Sequence, residues 1–119
     1  MTTIKSYTDI EQSKKLAGIL PLESADMHYV LIDTDEDKYD AGLGKYIGIL
    51  PHYPAWSLAA LLGVLPAECE CMALEHINYG NNHKEYFMHY VGGENTDDYD
   101  NPVDACVSMV EKLHELNLL

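Results

Sequence analysis

The sequence predicts an α+β fold: a two-layer domain in which an antiparallel sheet of about four strands packs with three helices, in the order α-β-β-α-β-β-α. Three observations predict it. The chain opens and closes on segments with helical apolar spacing and N-terminal capping residues. Between them, short β-rich runs come in adjacent pairs separated by turn residues, the pattern of hairpins. A charge-free, Leu/Ala-rich segment from Trp56 to Leu65 separates the two pairs and suits a buried helix.

Each element follows in order. Thr8 and Glu11 have the spacing of a capping box, in which each side chain satisfies a backbone donor of the other residue. They predict a helix from about Asp9 to Leu20, with Ile10, Leu16, Ala17, Ile19 and Leu20 on its apolar side. Pro21 ends it, because the residue before a proline is pushed out of helical space. Met27 to Ile32 is apolar and β-rich and predicts a strand. Asp33 to Gly44 is polar and glycine-bearing and predicts a loop, and Lys45 to Leu50 predicts a second strand paired with the first. Pro51 and Pro54 bracket a turn. The middle helix then runs from Trp56 to Leu65, closed by Pro66, and either Pro54 takes its first position or Ser57 caps it. Its lack of charge places Trp56, Leu58, Leu61 and Leu62 in the core.

Cys69 to Tyr79 predicts a third strand, Gly80-Asn81-Asn82-His83 its turn, and Lys84 to Val91 the return strand. Gly92 to Asp100 is an acidic loop. Asn101 caps the last helix, with Pro102 at its first position and Asp104 at its third. Its apolar stripe is Val103, Cys106, Val107, Val110, Leu113 and Leu116.

The chain of 119 residues has the length of a single domain, 1–119, and enough apolar residues to build a core without staples. Its formal net charge is -13, every basic residue is lysine, and arginine is absent. That composition argues against direct nucleic-acid binding, which needs a basic face for phosphates, and against anionic membranes. No apolar run reaches membrane-spanning length, and the first residues lack the apolar core of a signal peptide, so a cytoplasmic location is expected. Three cysteines, Cys69, Cys71 and Cys106, are an odd number, and the first two are too close to look like a disulfide framework. Reduced thiols are expected.

Candidate sites are few. Asp33, Asp35 and Asp37 imitate the start of a calcium loop, but the sharp-turn glycine and the bidentate glutamate are replaced by Lys38 and Gly44. A solvated acidic loop is the simpler reading. Cys69 and Cys71, with His76, His83 and His89, have the donor types of a zinc site but not its usual spacings. Cys106 falls on the apolar stripe of the last helix, which suits packing rather than nucleophilic chemistry. The sequence carries no hydrolase serine motif, phosphate-binding glycine loop or H-E-x-x-H. No catalytic, cofactor-binding or metal-ligating residue is therefore assigned, no cofactor is expected, and the chain is not expected to be an enzyme. The tyrosines Tyr39, Tyr46, Tyr53, Tyr79, Tyr86, Tyr90 and Tyr99 gather around strands and loops, where they serve either strand packing or a protein interface.

Three stretches carry a resemblance: Ser6 to Ala17, Trp56 to Leu62, and Asn101 to Cys106 running into Lys112-Leu113-His114-Glu115. Together they resemble a family of short uncharacterised proteins of gut bacteria and their phages or mobile elements. The resemblance lies in the three helices and implies a bacterial or phage setting, with no established activity and no functional residues to carry over.

The function expected from these readings is a non-enzymatic protein–protein interaction module with a protein partner, a homodimer being one form. A carboxylate-presenting inhibitor or nucleic-acid mimic, acting on a host or phage-defence protein, is the alternative, and a small metal protein or enzyme the third. Leu118 and Leu119, beyond the helical stripe at the chain's end, favour self-association or docking onto the chain's own core.

Overall fold

The computed structural model describes residues 5–65, 73–80, 83–89 and 96–116. The protein is α+β. Its described residues form three α-helices, a short 3-10 turn at Leu22–Ser24, and five strands in two antiparallel sheets. The elements are α1 (Ile10–Ala17), β1 (Met27–Asp33), β2 (Lys38–Leu43), β3 (His52–Ala55), α2 (Leu58–Val64), β4 (Ala73–Gly80), β5 (His83–His89) and α3 (Pro102–Glu115). The order is thus α-β-β-β-α-β-β-α, and the expected single sheet of four strands is instead one sheet of three, β2-β1-β3, and one of two, β4-β5. The fold divides into two compact units, Tyr7–Val64 and Met1–Ser6 with Leu65–Leu119.

In the first unit, the box that starts α1 sits one residue later than the spacing of Thr8 and Glu11 suggests. Asp9 caps the helix, accepting from the Gln12 N–H at 2.8 Å, while the Gln12 side chain accepts from the Asp9 N–H. Thr8 is freed for the core. Fully buried, its hydroxyl hydrogen-bonds Ser13 Oγ at 2.8 Å and accepts the Trp56 backbone N–H at 3.1 Å. Trp56, also fully buried, precedes α2 rather than starting it, and its indole N–H donates to Ser24 Oγ at 2.9 Å. Ser57 is the residue that starts α2. Its Oγ accepts the Ala60 N–H, and Asp26 accepts both the Ser57 N–H and its hydroxyl. Pro54 lies in β3. Within α2 only Leu61 is fully buried and Leu62 is 41% exposed, so near-complete burial of this helix does not hold. The helix is short and lays only one side on the core.

The greatest departure from expectation lies between β1 and α2. The segment expected as a loop contains β2, and Lys45–Leu50, expected as a strand, lies outside any strand. Residues Tyr39, Ala41 and Leu43 alternate with Asp40 and Gly42, the two-residue period of a strand, although aspartate and glycine disfavour one. The turn is closed by Asp33, whose Oδ1 accepts from the N–H groups of Asp35 and Glu36, and by Asp37 in the left-handed region at φ 52. Two of the three aspartates that imitate a calcium loop, Asp33 and Asp37, here shape a tight turn.

In the second unit, β4 and β5 form a hairpin, and α3 packs on β5 and β4. Asn101 caps α3 as expected, accepting from the Asp104 N–H at 2.9 Å, with Pro102 next to it. Asp104 in this first turn also meets Lys5 Nζ at 2.8 Å, which ties the N-terminal segment to the positive end of the helix. Val103, Cys106, Val107, Val110 and Leu113 are buried, joined by Ala105 and Met109. Leu116 is 46% exposed and does not continue the stripe. Leu118 and Leu119 lie outside the described residues.

Candidate functional site

The three-stranded sheet presents two different edges. At β3, the Leu31 N–H donates to the Pro51 carbonyl at 2.9 Å, so in antiparallel register Pro51, Tyr53 and Ala55 direct their backbone groups toward β1. His52, Pro54 and Trp56 direct theirs outward. Pro54 has no N–H to offer, and Trp56 is covered by Thr8, whose N–H donates to the Trp56 carbonyl at 2.9 Å. This edge is closed over most of its length.

At β2 the opposite holds. The Gly44 N–H donates to the Asp26 carbonyl at 2.8 Å and continues the β1–β2 register, so Asp40, Gly42 and Gly44 direct their backbone groups toward β1. Tyr39, Ala41 and Leu43 direct their N–H and C=O groups away from it. No strand among the described residues lies on that side. Gly44, at φ +75, then turns the chain out of the strand.

The segment that follows is held as a clasped loop. The Tyr46 ring sits between two histidine rings, 5.4 Å from His28 and 4.7 Å from His52. Its phenol oxygen accepts the Leu50 N–H at 3.2 Å, which closes the loop on itself. Two glycines permit this. A Cβ at Gly42 would meet the His28 ring at 2.6 Å, and one at Gly48 would collide with the Tyr46 phenol oxygen. His28 is fixed further by its Nδ1, 2.9 Å from the Gly44 carbonyl. With Tyr46 turned onto the sheet, the neighbouring aliphatic side chains point to water. Ile47 is 94% exposed, Ile49 is fully exposed, and Leu43 at the end of β2 is 84% exposed. Three large aliphatic side chains bared so close together in the chain are the most conspicuous feature of this unit's surface.

On the other face of the sheet α1 packs against β3. Tyr39 and Tyr53 stand 6.0 Å apart, and Lys14 Nζ lies over both rings, 5.8 and 5.3 Å from their centroids. Burial and the Asp37 carboxylate raise the Tyr39 phenol, against the opposing pull of Lys14. Tyr29, on the same face, donates its hydroxyl to the Thr8 carbonyl at 2.7 Å and is pushed up to about 12 by burial, with Tyr7 and Asp9 adding to the rise. These three tyrosines are therefore strand packing. Tyr46 is different: it positions a loop.

The remaining candidates from the sequence do not converge. Cys106 is buried, its thiol donates to the Met88 sulfur at 3.8 Å, and burial pushes it up to about 12, which leaves it protonated and unreactive. Cys69 and Cys71 lie outside the described residues, as do the side chains of His83 and His89. His76 packs against Tyr86, with ring centroids 5.9 Å apart. Among the described residues no three His, Cys, Asp or Glu side chains stand together in a way that could hold a metal ion. Nor is any helix among them long and apolar enough to cross a membrane.

The signal missed in the sequence is the run Tyr46-Ile47-Gly48-Ile49-Leu50. It has the alternation of a strand, but Gly48 within it, with Gly42 in β2 beside the His28 ring, admits the tyrosine that folds it into a loop. No family model, curated protein or solved structure matches the chain.

Proposed function

We propose that this protein is a non-enzymatic protein-interaction module that binds a protein partner through the Leu43–Leu50 loop. The observation that carries this reading is the exposure of Ile47 and Ile49 on a loop whose backbone is pinned by Tyr46, with Leu43 exposed at the end of β2 just before it. A pinned loop presents its side chains in one geometry, so little ordering entropy is lost on binding. An apolar surface held ready in this way costs solubility and is typical of a contact site. The helical resemblance to short proteins of gut bacteria and their phages or mobile elements supplies the setting in which to look for the partner.

Magnitudes limit what the loop does alone. Burying three such side chains contributes roughly 5–9 kcal/mol. Association costs about 4–15 kcal/mol in lost freedom. The aliphatic contacts therefore support a weak complex at most, and tight binding needs further interactions.

The test is affinity capture from the cell that encodes the protein, using the wild-type chain and an Ile47→Ser/Ile49→Ser variant checked for native circular dichroism. A partner captured by the wild type and lost with the variant is expected. Capture of the same proteins by both chains would refute the reading.

A further inference from the structure

We propose that the partner supplies an extended segment, alternating basic and apolar residues, that adds to β2 as a fourth strand of the sheet. This rests on the interaction-module reading above and names the kind of partner. The outward backbone groups of Tyr39, Ala41 and Leu43 form a row of donors and acceptors with no strand beside it among the described residues. Natural sheets guard such edges with proline, lysine, bulges or a covering segment. The β3 edge is guarded by Pro54 and Thr8. On β2 the guard is weaker: Lys38 stands at one end, and the middle of the row is Ala41, too small to obstruct an incoming backbone.

The side chains define what the added strand must carry. Its own side chains alternate between the two faces of the sheet. On one face they meet Tyr39, Ala41 and the exposed Leu43, which suit apolar partners. On the other they meet Asp40, and the turn before β2 adds Asp33, Asp35, Glu36 and Asp37 at the strand's beginning, Asp37 beside Tyr39. Those carboxylates, in a chain of net charge -13, attract lysine or arginine and repel a second copy of the same chain. Main-chain bonds then give affinity, and the alternating side chains give selectivity, as in other cases of strand addition. They also supply the interactions that the bare aliphatics of the loop lack.

The probe is a capped synthetic peptide alternating lysine with valine, titrated onto the full chain and followed by calorimetry. Binding is expected, weakening as salt is raised. Glutamate in place of lysine should abolish it. Ala41→Pro should weaken it by about tenfold or more, because the lost N–H points away from β1 and the β1–β2 bonds remain. Should Ala41→Pro unfold the hairpin, the same peptide methylated on alternate amide nitrogens, titrated onto the wild-type chain, must lose binding to the same degree. No binding of the lysine–valine peptide, or equal binding of the methylated or glutamate peptides, overturns the proposal. The two readings separate cleanly. A cellular partner that depends on Ile47 and Ile49 but is indifferent to Ala41→Pro leaves the module standing and overturns strand addition. Peptide binding that depends on Ala41, with cellular capture indifferent to Ile47 and Ile49, leaves strand addition standing and overturns the loop.

Discussion

Thr8→Val is the substitution that most directly probes how the first unit is held together. Valine matches threonine in shape, so packing at this fully buried site is nearly unchanged and the hydroxyl alone is removed. Two groups lose their partner. The Trp56 N–H loses an acceptor at 3.1 Å, and the Ser13 hydroxyl loses a neighbour at 2.8 Å. A buried polar group left unsatisfied costs about 1–3 kcal/mol. With two groups affected, one of which can turn to another acceptor, a loss of about 2–3 kcal/mol is expected. Thr8→Ser keeps the hydroxyl and gives up one methyl group, so its loss should be about 1 kcal/mol. The assay is urea unfolding followed by fluorescence of Trp56, the only tryptophan, which lies in this unit and reports on it. With a slope near 2 kcal/mol per molar urea, Thr8→Val should lower the midpoint by about 1 M or slightly more. Equal effects of valine and serine, or no effect of valine, would show that the hydroxyl does not hold Trp56 in place.

Three further outcomes follow from the same structure. Leu61→Ala, at a fully buried position, should cost about 2–5 kcal/mol, whereas Leu62→Ala, at a position 41% exposed, should cost under about 1 kcal/mol by lost burial alone, and thermal melts of the two variants should separate clearly. The protein should lose stability in alkali. The Cys106 thiol rises from 9.0 to about 12 and the Tyr29 phenol from 10.0 to about 12, so the unfolded chain ionises first, and stability complete below pH 9 should decline between pH 9 and 12; Cys106→Ala should flatten the early part of that decline in urea titrations run across this range. With Cys69 and Cys71 replaced by serine, the remaining thiol should react with Ellman's reagent only on unfolding, and fast labelling of the native protein would contradict its burial.

The helices were legible in the sequence because their signals are local. Asn101, Pro102 and the spacing from Val103 to Leu116 announce α3, and its cap and the stripe as far as Leu113 stand where they are expected, while Leu116 is exposed. The start of α1 is misplaced by one residue because Thr8-Asp9 and Glu11-Gln12 offer two overlapping boxes, and the choice depends on a tertiary contact: Trp56 and Ser13 claim the Thr8 hydroxyl. The middle strands were misread for a similar reason. Composition favours Lys45–Leu50 as a strand over Lys38–Leu43, yet pairing with β1 and the docking of Tyr46 between His28 and His52 decide the matter. Burial of α2 was overestimated because absence of charge is a weak guide to burial in so short a helix: Leu62 has no charged neighbour and still faces water. The candidate site was legible only in its parts. Ile47 and Ile49 stand out as a β-rich run, but their exposure follows from Gly48 admitting the Tyr46 clasp, which no local pattern states.

Amide-resolved hydrogen exchange across β2, in the free protein and with its captured partner, tests most directly the claim that this part of the molecule is a binding surface. In the free protein the Asp40, Gly42 and Gly44 amides, directed at β1, should exchange slowly, while those of Tyr39, Ala41 and Leu43 exchange at near-solvent rates. With partner bound, the second set should become protected, and exchange at Ile47 and Ile49 should slow with it. Protection of Tyr39, Ala41 and Leu43 already present in the free chain, or unchanged rates throughout this region in the complex, would contradict the account.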